Sequence, residues 1–234
     1  MKLIAKGNTA EVLDYSEDKV CKLFWQGYPV ESVITEFENS VLLNKLKLPV
    51  PMCYGRVYID KRHGLIYEKI QGRDLISLLR DPAKYKMVVL TLVKMHRKIL
   101  NHECDTLPSY KDFVRNVIAD KDMETIRLLE DLPDGYTLCH GDFHPGNIMI
   151  DLGGGIRIID LMNLCRGPRE YDIARTYFLV GYSKLPKDME NLQEIQALRQ
   201  MLAKDYLREM AIGLNDIVPY LKIIERCHFF ETSR

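Results

Sequence analysis

The chain has 234 residues, 47% of them hydrophobic and 28% charged, which is ordinary globular composition and leaves no case for a fibre or a disordered protein. Its 33 basic residues equal its 33 acidic ones, so no global positive field draws it to a phosphate backbone, and nucleic acid is not expected as a partner. No apolar run approaches the roughly 18 residues that would span a bilayer, and the opening "MKLIAKGN" does not read as a signal peptide; no membrane partner is expected.

The first 70 residues read as strands. Alternating segments fall at Ala10 to Tyr15, Lys19 to Phe24, Gly55 to Ile59 and Gly64 to Tyr67, separated by polar turns such as "SED" and "DKRHG". One helical pattern interrupts them, from about Glu31 to Leu46, and "LPVP" stops it. A shift in composition near residues 68 to 72 marks the expected boundary between two lobes. Beyond it, Pro82 to Leu100 and Phe113 to Leu129 carry apolar residues at helical spacing, and a helical pattern resumes at Ile173 and continues to about Phe230. The exception is Thr137 to Ile159, where "NIMI" and "IRIID" flank "DLGGG" as a hairpin. Six well-separated cysteines with no CxxC suit reduced, buried thiols and a cytoplasmic location.

The chemistry concentrates in "LCHGDFHPGNIMI" and the "IRIIDLMN" that follows. With "DLGGG" as the turn, antiparallel pairing sets Ile148 against Ile159 and Ile150 against Arg157, so that Asn147 falls opposite Asp160. Opposed residues have Cβ atoms about 4.5 to 5.5 Å apart. An amide oxygen and a carboxylate oxygen at that spacing can share one octahedral Mg²⁺ and leave positions open for phosphate. Asp142, in a loop with Gly141, Pro145 and Gly146, then suits a base or an orienting group for an incoming hydroxyl. His140 and His144 are four apart, a zinc spacing only on a helix, and the loop residues argue against one. Asp172, just ahead of "IARTYFLV", reads as a helix N-cap. His96 reads as a core or loop-facing helix residue, and Gly153 to Gly155 as turn glycines.

"HGDFHPGN" followed thirteen residues later by Asp160 resembles the catalytic loop and metal-binding aspartate of the aminoglycoside phosphotransferase and choline kinase family. The resemblance extends to "GNTAEV", "VCKLFW", "ITEFENSVLLNKLKLPVP", "LIYEKIQG" and "GPREYDIAR", in the family's order. It implies an α+β, two-lobed protein-kinase-like fold: residues 1–70 form a nucleotide-binding lobe of a small antiparallel sheet with one helix, and residues 71–234 a mainly helical catalytic and substrate lobe. It also implies an enzyme that moves the γ-phosphoryl group of ATP, with GTP as an open alternative, to the hydroxyl of a small molecule. Asp142 would face that hydroxyl and Asn147 and Asp160 would hold Mg²⁺. Lys22 would reach the α and β phosphates, held by a helix glutamate: the count from "PVP" favours Glu36, helical phase would permit Glu38, and Glu36 is the residue chosen. Backbone groups of Glu68 and Ile70 would serve the adenine edge. His144 stands where protein kinases carry a lysine that touches the γ-phosphate. It also implies that Asp172 braces the catalytic loop. The departures are a nucleotide loop with Gly7 as its one glycine, so that Asn8, Thr9 and Ala10 must cover the phosphates, Leu161 in place of an aromatic residue after Asp160, and no aspartate before Pro168. A nucleotide-binding module without transfer and, more remotely, a protein kinase are the competing readings; acceptor identity and oligomeric state stay open.

Overall fold

The computed structural model describes residues 1–118, 122–185 and 189–232. In chain order the elements are β1 (Lys2–Lys6), β2 (Ala10–Asp14), β3 (Lys19–Phe24), α1 (Val30–Lys45), β4 (Cys53–Ile59), β5 (Arg62–Glu68), β6 (Gly72–Asp74), α2 (Tyr85–Leu100), α3 (Tyr110–Ile118), α4 (Met123–Asp131), β7 (Thr137–Cys139), β8 (Ile148–Asp151), β9 (Ile156–Ile158), β10 (Cys165–Gly167), α5 (Arg169–Gly181), α6 (Leu192–Met210) and α7 (Leu214–Thr232). The chain forms two compact units, Met1–Leu75 with Asn147–Asn163, and Ile76–Gly146 with Leu164–Arg234. The first unit thus runs a few residues past the shift in composition and recovers a second piece of chain that contains the β8–β9 hairpin.

In the first unit, five antiparallel strands lie in the order β1-β2-β3-β5-β4. Alternation along β3 sends Cys21 and Leu23 to one face, packed with Ile66, and Phe24 to the other, packed with Ala10, Leu65 and Val33 of α1. Lys22 shares the Phe24 face and so points to the α1 side of the sheet. β1 was not legible in the sequence, because every residue of it is exposed and no alternation marks it. β4 and β5 turn through Asp60 and Lys61, both at positive φ, a two-residue loop between the paired Ile59 and Arg62.

The second sheet of this unit has the order β6-β8-β9. β6 lies close on β8 because Gly72 has no side chain: a Cβ there would overlap the Ile150 carbonyl and come within 2.7 Å of Asp151 Cα. The hairpin register differs by one residue from that expected. Ile148 pairs with Ile158, Met149 with Arg157 and Ile150 with Ile156. The loop is three residues, not an even turn: the Asp151 amide donates to the Gly155 carbonyl at 2.9 Å, and Gly154 takes the left-handed φ of 81°. Asn147 therefore faces Ile159, whose amide donates to its carbonyl at 2.9 Å, and Asp160 lies one residue past the last pair.

In the second unit, α5 packs on α6 and α7, α6 packs on α2, and β7 pairs antiparallel with β10. Two short 3-10 turns, Ile76–Arg80 and Pro82–Lys84, lead into α2, with the Asp81 carboxylate accepting the Ala83 amide at 3.0 Å. The helix expected from Phe113 to Leu129 is two helices, α3 and α4. The second starts where Asp122 caps it, accepting the Thr125 amide at 3.1 Å, and residues 119–121 between them lie outside the described residues. The helical pattern expected from Ile173 onward starts earlier, at Arg169, and forms the three helices α5 to α7.

Candidate active site

The first unit builds a lysine clamp. Helical phase in α1 buries Val33, Glu36, Ser40 and Leu43, three or four residues apart, while Glu38 is exposed. The partner of Lys22 is accordingly Glu36: Lys22 Nζ donates to both carboxylate oxygens, at 2.8 and 2.9 Å, and to Asp160 Oδ1 at 3.0 Å. Glu36 is 1% exposed and accepts a third bond from Tyr67 Oη at 3.1 Å, with Ser40 Oγ 2.9 Å from the same phenol. Burial opposes the charge on Lys22, but Glu36 and then Asp160 more than offset it and hold the ammonium well above its usual range. Burial also pushes the phenol of Tyr67 well up, so it stays a donor to Glu36.

Asp160 is held by backbone as well as charge. Its φ of 62° lies in the left-handed region, where aspartate is among the few tolerated side chains. The next carbonyl, of Leu161, accepts Asn39 Nδ2 of α1 at 2.7 Å, and Met162 Sδ lies 3.0 Å from Tyr28 Oη. The α1 helix thus positions both the glutamate and the segment that carries the aspartate. Asn39, Ser40 and Tyr67 were missed in the sequence; their one signal was their place at i+3 and i+4 from Glu36 and in alternation along β5. Asn147 is 8% exposed. With the one-residue shift, Asn147 and Asp160 are diagonal rather than directly opposed. Their amide and carboxylate oxygens are the hard donors that suit Mg²⁺.

At the end of β5 the Glu68 amide donates to the Met52 carbonyl at 2.9 Å and its carboxylate accepts the Met52 amide at 3.2 Å, so the Glu68 amide is already bonded to the residue ahead of β4. Ile70, two residues on, is half-buried. In the β1–β2 loop Asn8 is exposed and Thr9 half-buried.

The second unit holds the loop of the other expected site residues. Asp172 is fully buried, and it is the fourth residue of α5, not its cap: Pro168 occupies that position. Its carboxylate accepts the His140 amide at 2.7 Å and the Gly141 amide at 2.9 Å, and His96 Nε2 lies 2.9 Å from Oδ2. Since a carboxylate only accepts, His96 carries its proton on Nε2; its Nδ1 lies 2.6 Å from Tyr206 Oη. Burial alone would raise the Asp172 carboxyl, but the His96 bond, the electrostatic pull of the His96 and His140 rings and the Gly141 amide hold it below its ordinary value of 3.8. Phe143 stacks on His96 with centroids 4.3 Å apart. Arg175 Nε donates to the Gly141 carbonyl, and its Nη2 to Glu231 at 2.9 Å. Tyr206 and Arg175 had no signal in the sequence beyond an ordinary helical phase.

These contacts fix the backbone on which Asp142 and His144 sit. The Asp142 amide donates to His140 Nδ1 at 3.3 Å, and the Gly146 amide to His144 Nδ1 at 3.1 Å. His144 Nε2 is left 3.9 Å from Asp142 Oδ2, both side chains being partly exposed. The loop then leaves the second unit at Gly146 and enters the first at Asn147.

Residues 2–210 match the family model described as the phosphotransferase enzyme family. The chain belongs to that family. Its fold is that of solved family structures, the protein-kinase-like arrangement of an antiparallel-sheet lobe and a helical lobe. A thermostable mutant of aminoglycoside phosphotransferase APH(4)-Ia matches with a TM-score of 0.66 at 15% identity over 98% of this chain and 84% of the other. The aminoglycoside-3'-phosphotransferase of type VIII gives 0.63 at 18% identity over 97% and 91%. APH(3'')-Id from Streptomyces rimosus gives 0.59 at 17% identity over 97% and 92%. No curated protein sequence matches the chain. Among the described residues no helix is long and apolar enough to cross a membrane.

Proposed function

We propose that this protein transfers the γ-phosphoryl group of ATP to a hydroxyl of a small molecule. The observation that carries the reading is the Lys22 ammonium, kept protonated by a buried glutamate and directed also at a partly exposed aspartate. An amine held in this way is a fixed point charge for phosphate oxygens, and it needs no reorganisation when they arrive. Lys22 would receive the α and β phosphates while Glu36 keeps it in place. Asn147 and Asp160 would hold Mg²⁺, which when bound offsets phosphoryl charge. Asp142, on a loop whose amides are tied to Asp172, would orient the acceptor hydroxyl and take its proton, and His144 beside it would contact the transferring group. Glu68 would serve adenine through its carbonyl, since its amide is already bonded, and Ile70 through its amide. GTP would present the same phosphates to Lys22.

The acceptor class is supported by the solved relatives. An APH(4)-Ia structure holds ADP and hygromycin B, and an APH(3'')-Id structure holds ADP and streptomycin. Both antibiotics belong to those proteins; for this chain the inference is a hydroxylated small molecule. All six cysteines are free, which supports a reducing compartment such as the cytoplasm.

The test is ADP release from Mg·ATP across sugars, amino alcohols and aminoglycosides. One acceptor class should raise release above the water background, with Asp142→Asn abolishing it while nucleotide binding persists. Nucleotide binding with no turnover on any acceptor would identify a binding module instead, and label transferred to added proteins a protein kinase.

A further inference from the structure

The loop between β1 and β2 has one glycine, Gly7, yet it is tied down at both ends. The Gly7 amide donates to the Ala10 carbonyl at 2.9 Å. From the far end of β3, Trp25 supplies two more donors: its indole Nε1 bonds the Asn8 carbonyl at 2.8 Å, and its backbone amide bonds the Thr9 carbonyl at 3.0 Å. The indole itself is held. Lys6 Nζ lies 5.3 Å and the Arg62 guanidinium 5.1 Å from the ring centroid. Arg62 in turn donates to the carbonyls of Phe24 and Leu23 at 2.7 and 2.9 Å and pairs with Glu11 at 2.9 Å.

Peptide planarity gives this a direction. Among the described residues no peptide bond is cis, so each N–H points opposite the carbonyl of its own plane. With the Asn8 and Thr9 carbonyls turned to Trp25, the Thr9 and Ala10 N–H groups of the same planes turn away from it. Consecutive backbone N–H groups are what a phosphate is bound by. A glycine-rich loop reaches such an arrangement by conformational freedom and loses entropy on doing so. Here the Trp25 indole fixes the Asn8 carbonyl and the Trp25 backbone amide fixes the Thr9 carbonyl in advance.

We propose that Trp25 is a positioning residue for the nucleotide: acting through Asn8 and Thr9, it presets the phosphate-facing backbone that glycines would otherwise supply. The inference rests on the ATP reading above and adds to it the residue that replaces the missing glycines.

Trp25 is the sole tryptophan of the chain, so its emission reports on this loop alone. The full-length protein is titrated with Mg·ADP and with adenosine, following tryptophan emission and, in parallel, calorimetry. Mg·ADP should shift the emission and adenosine should not. Trp25→Phe keeps the ring and the backbone donor but removes the indole N–H. It should weaken Mg·ADP about fivefold, the scale of one hydrogen bond, and leave adenosine affinity unchanged. An emission that ignores Mg·ADP while calorimetry shows it bound overturns the proposal, and does so without any variant. Equal weakening of ADP and adenosine in a folded Trp25→Phe protein, or no weakening of either, overturns it too. Wild-type protein that binds no nucleotide overturns the ATP reading, and this inference with it.

Discussion

Glu36 is a buried carboxylate whose one cationic partner among the described residues is Lys22, and the cost of separating the two is asymmetric. Removing Lys22 strands a charge that burial already pushes towards protonation. Lys22→Met should therefore lower stability by about 3 kcal/mol, read by urea unfolding at neutral pH. It should also reduce acceptor-dependent ADP release at least about 100-fold. A smaller and cleaner perturbation is available at Gly146. A Cβ there would fall 2.9 Å from His144 Cε1 and 3.0 Å from Nδ1, and the atoms that must yield belong to a movable ring. Gly146→Ala should leave the melting temperature nearly unchanged and lower kcat by turning His144 away from Asp142. An unchanged kcat would remove His144 from the transfer step.

Strand pairing shows where the chain was readable at the level of its elements. The alternation of β2 to β5 and the amphipathic phase of α1 come directly from side-chain spacing and put Lys22 on a strand; the family resemblance gave it a glutamate partner, and the count from "PVP" favoured Glu36 over Glu38. Packing then decided for Glu36, because Ser40 and Leu43 extend its face and nothing buries Glu38. The β8–β9 register was not readable. Three successive glycines, Gly153 to Gly155, do not reveal which takes the left-handed conformation, and that choice moves every pair by one. The structure assigns it to Gly154, with the Gly155 amide on Asp151 Oδ1 at 2.7 Å. β6 was likewise invisible, since three residues carry no pattern, yet Gly72 is where it depends on a missing side chain. Gly72→Ala should cost about 2 kcal/mol in urea unfolding, because the atoms it meets are backbone of β8 and cannot swing aside.

For the molecule as a whole, acid stability should report the Asp172 network, which joins α2, α5 and α6 to the His140–Gly141 backbone. The folded carboxyl titrates below its ordinary value of 3.8. Its contribution is thus fully present above about pH 3.8 and is lost as the pH falls through the lower folded value. Unfolding free energies followed from neutral pH into acid should decline in that window. Asp172→Asn should be about 3 kcal/mol less stable at neutral pH, with a shallower acid decline. That network was half legible: the family resemblance pointed to bracing, while spacing alone pointed to a cap, because Pro168 could not be placed as the helix start without the fold.

Asp160 answers to two independent constraints, its left-handed backbone and its negative charge. Asparagine or glycine in its place would satisfy the bend and forfeit the charge; glutamate would keep the charge and strain the bend. Change at this one position is therefore channelled: asparagine or glycine would leave an intact scaffold without the carboxylate proposed to hold Mg²⁺, so that such a variant should keep the fold and lose the proposed transfer.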